Sequence, residues 1–215
     1  MPMDLQTAAK VVRSALPLFG AHGLDGTSTR QIAQSAGTPM SAITYHFGGK
    51  DGLYLACAQH ISDTMSALVG AVVVETDAAS TDTASARAGL CRLFAVLVSA
   101  IVRDETAEFA RFIVREQQEP TAAFDIIYGG IMGKLLGRMV QLMTVVARDR
   151  IDDTEIRVRV IALMGQVMAF RIARAATLRL TGWSDIGDDE RAVIDRVVQA
   201  HLDAILERLE QEPKP

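Results

Sequence analysis

Eight residues in one short stretch carry the most specific chemistry in this chain: Arg30, Met40, Ser41, Ala42, Thr44, Tyr45, His46 and Lys50. They are cationic, hydrogen-bonding or small, and no acid stands among them. Lys50 and Tyr45 suit phosphate oxygens, contacts that fix register without reading a sequence. Arg30 offers a planar fork that matches a guanine edge. Met40, Ser41 and Ala42 open a helix, where side chains meet base edges and thymine methyl groups. The residues alone leave a blander alternative open, a solvated helix face, and His46 also suits the end of a helix.

The elements that must position these groups lie between Gly26 and Lys50, GTSTRQIAQSAGTPMSAITYHFGGK. Ser28 is placed to accept from the free N–H groups that open a helix, and Gln31, three residues on, to return the bond. Ile32 and Ala33 face inward, and Gly37 supplies a residue that leaves the helix with positive φ. Pro39 fits the first turn of a second helix, whose buried face is Ile43 and Phe47, four apart. Two short helices joined by a tight turn place the second one in the major groove of DNA.

Residues 8 to 55 resemble the N-terminal DNA-binding domain of the TetR family of bacterial transcriptional regulators. The resemblance is carried by Phe19, Gly23, Thr27, Ile32, Ala33, Ala36, Gly37, Ile43, Tyr45, Phe47, Lys50 and Leu53. Thr44 departs from it, because many members carry an aromatic there. Further on, IVREQQEPTAAFDIIYGG resembles the C-terminal domain of the CecR-like branch of that family.

With 215 residues, the chain can bury a substantial core, and 49% of it is hydrophobic but only 5% aromatic. Apolar residues recur at helical spacing nearly everywhere, and no stretch alternates as a strand does. The expectation is an all-α protein: a three-helix head over residues 1–50, a helical body over 51–211 and a frayed tail over 212–215. Net charge is −4. Residues 1–50 carry Lys10, Arg13, Arg30 and Lys50 against Asp4 and Asp25, a balance of +2, which leaves −6 for the remainder. A mildly basic head on an acidic body suits a protein that touches phosphate with one end. Cys57 and Cys91 stand on separate predicted helices and fit thiols in a reducing compartment. No signal peptide is evident, and the longest apolar run, Leu93 to Val102, is about half of a bilayer span. A cytoplasmic protein with no membrane partner is expected.

Along the chain, the periodicity predicts helices over Leu5–His22, interrupted by a kink at Pro17, and over Asp51–Val74. A loop is expected over Glu75–Ser85, then helices over Ala86–Val102 and Glu105–Glu119. Thr121 caps a helix running to Arg148, in which Gly129, Gly133 and Gly137 line one face. Two more follow, Asp152–Leu180 and a last one from Asp188.

The resemblance implies an effector pocket, with His60, Phe109, Phe112, Tyr128 and Met143 as its candidates. The residues themselves leave ordinary core open for each. Arg111 and Arg115 either pair with a ligand acid or sit with Glu108 and Glu119 on a solvated face. The resemblance also implies a homodimer through the last two long helices, with Val160, Val167, Val193, Val197, His201 and Ala204 as interface candidates. A twofold dimer presents two recognition helices about one turn of DNA apart, ~34 Å, to a palindromic operator. A ligand-responsive regulator, most simply a repressor, is therefore expected. The alternative is a helical binding module with a protein partner and no DNA. Enzyme signatures are absent from the sequence: His22, His46, His60 and His201 lack zinc spacing, Gly133-Lys134 lacks the rest of a phosphate loop, and no cofactor or metal is expected.

Overall fold

Apolar residues at helical spacing become eleven α-helices and one π-helical turn among the residues described, 3–79, 82–103 and 106–213, in the computed structural model. They form two compact units. One comprises Met1–Ser66 with Glu105–Met132, the other Ala67–Asp104 with Gly133–Pro215.

The first unit holds α1 (Met3–His22), α2 (Thr29–Ala36), α3 (Met40–Phe47) and the start of α4 (Lys50–Ala79). It also holds α6 (Ala107–Gln118), α7 (Ala122–Ile127) and the π-helical turn Tyr128–Met132. Leu16 and Phe19 of α1, Ile32 of α2, Ile43 of α3 and Leu53 and Ile61 of α4 share one core with Phe112 of α6 and Ile127 of α7. Helices α6 and α7 thus pack in one compact unit with α1, α2, α3 and the start of α4. The reason is long-range: aromatic side chains from α1, α4 and α6 bury one another.

The second unit is built around α5 (Thr83–Val102), which lies against α8 (Gly133–Ala147), α9 (Asp153–Ile172) and α11 (Asp188–Gln211). Its last turn leaves carbonyls without intrahelical donors. Arg171 of α9 answers them, donating from Nε to the Ile101 carbonyl at 2.7 Å and from its terminal nitrogen to that of Arg103. Arg138 of α8 likewise donates to the Thr76 carbonyl in the last turn of α4. By length and hydropathy Lys50–Thr76, Thr83–Val102 and Ala122–Ala147 would each span a bilayer, more than the short apolar run in the sequence suggested. In the fold, α5 uses its apolar side chains, Leu90, Leu93, Phe94, Leu97 and Val98, inside the unit.

Several expectations are corrected. Helix α4 continues to Ala79 and α5 begins at Thr83, so the segment expected to loop from Glu75 is largely helical; residues 80 and 81 lie outside those described. Asp82 and Ser85 form a reciprocal cap that starts α5 ahead of its apolar run. The single helix expected from Thr121 to Arg148 is interrupted at Tyr128–Met132, where Gly130 leaves helical geometry (φ −80°, ψ −126°). The helix expected to reach Leu180 ends at Ile172, and α10 (Arg174–Thr181) follows with no buried residue. A Cβ added at Gly129 or Gly137 would meet nothing within 4 Å. Glu105, expected to open α6, and residues 214–215 of the tail lie outside the described residues.

Candidate nucleic-acid interface

Local hydrogen bonding sets the site. The Ser28 hydroxyl accepts from the Gln31 N–H at 3.2 Å while the Gln31 side chain accepts the Ser28 N–H at 3.0 Å, a reciprocal cap on α2. Gly37 closes α2 in the left-handed region (φ 57°). Thr27, buried, donates its hydroxyl to the Gly23 carbonyl at 2.8 Å and fixes the chain as it leaves α1. Ser28→Ala should destabilise the head by about 1 kcal/mol, the usual worth of an N-cap, read as a lower thermal midpoint.

Helix α3 is anchored on one side only. Ile43 is buried and Phe47 half-buried. Met40 and Thr44 stack four apart, as do Ser41 and Tyr45, and all four are exposed, Tyr45 by 77%. Ala42 and His46 flank this face half-buried, Arg30 on α2 is exposed, and Lys50 stands half-buried at the start of α4. The Tyr45 and His46 rings meet edge to face at 5.0 Å. An exposed, acid-free helix face with a cation at each end is what a groove lined with phosphate accepts.

The step from α3 to α4 was not legible in the sequence beyond its glycines. Gly48 (φ 74°) and Gly49 (φ 135°) both take conformations that other residues avoid. Gly52 has a different role. A Cβ there would lie 1.8 Å from the Phe47 carbonyl oxygen, so α4 starts hard against the end of α3.

Residues 11–57 match the family model of bacterial regulatory proteins of the tetR family, and residues 86–209 match that of the C-terminal domain of the HTH-type transcriptional dual regulator CecR. Over 210 residues the chain is 32% identical to the HTH-type transcriptional dual regulator CecR of Shigella flexneri, covering 96% of this chain and 94% of that one. The chain belongs to the TetR family. As a TetR-family protein it is a DNA-binding transcriptional regulator, and its relatives are regulators rather than enzymes. Solved structures share the fold. AibR in complex with isovaleryl coenzyme A and operator DNA superposes with a TM-score of 0.68 at 15% identity, covering 91% of this chain and 97% of that one. HlyIIR, a hemolysin II transcriptional regulator, gives 0.60 at 16%, covering 90% and 97%.

The effector candidates of this TetR-family chain do not all gather. His60 and Phe109 meet edge to face at 5.9 Å, and burial lowers the His60 pKa below its ordinary value, with Arg13 adding to the shift and Asp63 opposing it. Phe112 is fully covered in the head core, 4.6 Å from the Tyr54 ring. Tyr128 is exposed and stacks on Phe124 at 5.6 Å. Met143 belongs to the core of the other unit. Of the two arginines, Arg111 is exposed, and Arg115 reaches the Ala21 carbonyl at 3.5 Å.

The interface candidates divide in the same way. Val193, Val197, His201 and Ala204 are exposed on α11, and His201 Nδ1 lies 3.0 Å from Gln166 Oε1. Val160 and Val167, 1% and 0% exposed, point into the core of their own unit and have no surface to offer a second copy. The uncovered stripe of α9 is instead Val158, Ile161, Ala162, Gly165, Ala169 and Ile172. Among the described residues no group of three or more His, Cys, Asp or Glu gathers to hold a metal.

Sequence reasoning missed Tyr54, Glu116 and the role of Gly52. Tyr54 donates its hydroxyl to Glu116 Oε1 at 2.7 Å. Burial, with the carboxylate beside it, holds the Tyr54 phenol well above its ordinary pKa, so it keeps the proton it donates. The only signal was a glutamate inside the CecR-like segment.

Proposed function

We propose that the protein binds a palindromic operator as a homodimer, represses from it, and is released by a small, largely apolar molecule. The supporting observation is the exposed face of Met40, Ser41, Thr44 and Tyr45 on a helix anchored only through Ile43 and Phe47. Arg30 reads a base edge; Ala42 and His46 flank the groove; Tyr45 and Lys50 take phosphates. The dimer forms through the apolar stripe of α9 and through Val193, Val197, His201 and Ala204 of α11, joined by α10, whose Leu180 is 90% exposed. It works in the cytoplasm, where the DNA is.

The effector enters the head unit beside His60 and Phe109, which meet, with Tyr128 and Phe112 of the same unit as further candidates. His60, whose charged form burial disfavours and whose ring meets Phe109 edge to face, suits an apolar ligand, and AibR, which shares the fold, was solved with isovaleryl coenzyme A and operator DNA together. Helix α4 carries His60 and begins where α3 ends, so a ligand that tilts α4 changes the separation of the two recognition helices. A coupling of about 1–3 kcal/mol lowers operator occupancy some 5- to 150-fold. The relative named a dual regulator favours a second mode, activation at some operators.

The test is a gel shift with duplex DNA from upstream of the protein's own gene. Tyr45→Ala combined with Lys50→Ala should weaken binding by at least ~100-fold. With one lysine lost per protomer, the slope of log affinity against log salt should fall by about 1.8. Unchanged affinity in the double variant would exclude α3 as the reading helix and leave a protein-binding module.

A further inference from the structure

Glu116 is a carboxylate with 1% of its surface exposed, set among the aromatic side chains of the head unit. Both of its oxygens are in use. Oε1 accepts the Tyr54 hydroxyl at 2.7 Å, and Oε2 accepts the Thr121 N–H at 3.1 Å and the Thr121 hydroxyl at 2.9 Å. The Thr121 hydroxyl also accepts the Ala123 N–H at 3.1 Å, which opens α7. A single buried acid therefore joins the first turns of α4 to the corner between α6 and α7.

The joint is directional. The Tyr54 ring is fixed edge-on to Phe19 at 4.9 Å and tilted against Phe112 at 4.6 Å, so its hydroxyl has little choice of acceptor. Tyr54 stands two residues beyond Gly52, where α4 is pressed against the last carbonyl of α3. An apolar pair would fill the same volume without removing a charge from water. What the acid adds is a unique arrangement, with three donors that must all be in place.

We propose that Glu116 is a positioning residue for DNA binding: through Tyr54 it holds the start of α4, and with it α3, in the operator-competent orientation. The inference rests on α3 being the reading helix. Because Thr121 occupies the second oxygen and leads into the π-helical turn, displacement of α7 withdraws donors from the same acid that orients α4. The head is thereby tied to the segment that carries Tyr128.

Tyr54→Phe in the full chain removes one hydroxyl and keeps the ring. Affinity for duplex DNA from upstream of the protein's own gene should fall about 10-fold, the low end of what a hydrogen bond to a charged group contributes. The dimer and its circular dichroism should be unchanged. Glu116→Gln should produce a similar loss, and the double variant no more than the larger single loss, since both act through one bond. If Glu116→Gln does not fold, Tyr54→Phe decides alone. Tyr54→Phe with a lower thermal midpoint but undiminished affinity would assign the clasp to stability only and overturn the proposal; so would additive losses. If the unsubstituted protein binds no duplex, the reading of α3 fails, and this inference falls with it.

Discussion

Glutamate at Ile161 and Val197 together should give a monomer in solution and lower affinity for a palindromic duplex by at least ~100-fold. Both side chains are exposed and lie on the stripes of α9 and α11 that the chain leaves uncovered. A like charge from each copy would then meet across a twofold axis, in an environment that a dimer removes from water. Operator affinity falls because each half-site is held at high effective concentration only while the other is bound, and that linkage is worth some 10²–10⁴. Far-UV circular dichroism should not change, since neither residue contributes to the core. Val160→Glu makes the contrast: its side chain points inward, and it should unfold the second unit rather than divide a dimer. A double variant that sediments as a dimer would place the interface elsewhere.

Gly52→Ala should abolish operator binding while leaving the second unit helical and dimeric. The added methyl carbon would lie 1.8 Å from the Phe47 carbonyl oxygen, a backbone atom with no rotamer to escape into. Overpacking of side chains costs about 1–3 kcal/mol, and a backbone neighbour puts this site at or above that range. Relief requires α3 to move relative to α4, which displaces Tyr45 and Lys50 from any common phosphate track. Gly70→Ala supplies the comparison on the same helix. Its Cβ meets nothing within 4 Å, so alanine there should be stabilising by about 0.5–1 kcal/mol, read by thermal melting, with DNA affinity unchanged.

The helix-turn-helix was legible because its determinants are local. Ser28 and Gln31 bond each other across three residues, Gly37 closes on carbonyls three and four residues back, and their types state the geometry they adopt. Packing of α6 and α7 against α1 and α4 was not legible, because it depends on pairs such as Tyr54 with Glu116, which only the folded chain brings together. On α9 the period was read correctly and the face was not. Val160 and Val167 form one apolar stripe, and Val158, Ile161, Ala169 and Ile172 form another. A helix apolar on two sides does not say which side its own core will take. The π-helical turn was visible only as Gly129-Gly130, a pair equally at home in a helix, a turn or a close approach. Met143 illustrates the same limit: core and pocket linings draw on the same residue types, and only the fold places it in the other unit from His60.

In the proposed dimer, two copies of α3 read symmetric half-sites. Selection of duplexes from a randomised pool by the full-length protein tests it most directly. The expected product is an inverted repeat whose half-site centres lie about one turn apart, ~34 Å. The Tyr45→Ala, Lys50→Ala variant should recover no enriched sequence. An enriched site without twofold symmetry, or the same enrichment by that variant, would contradict it.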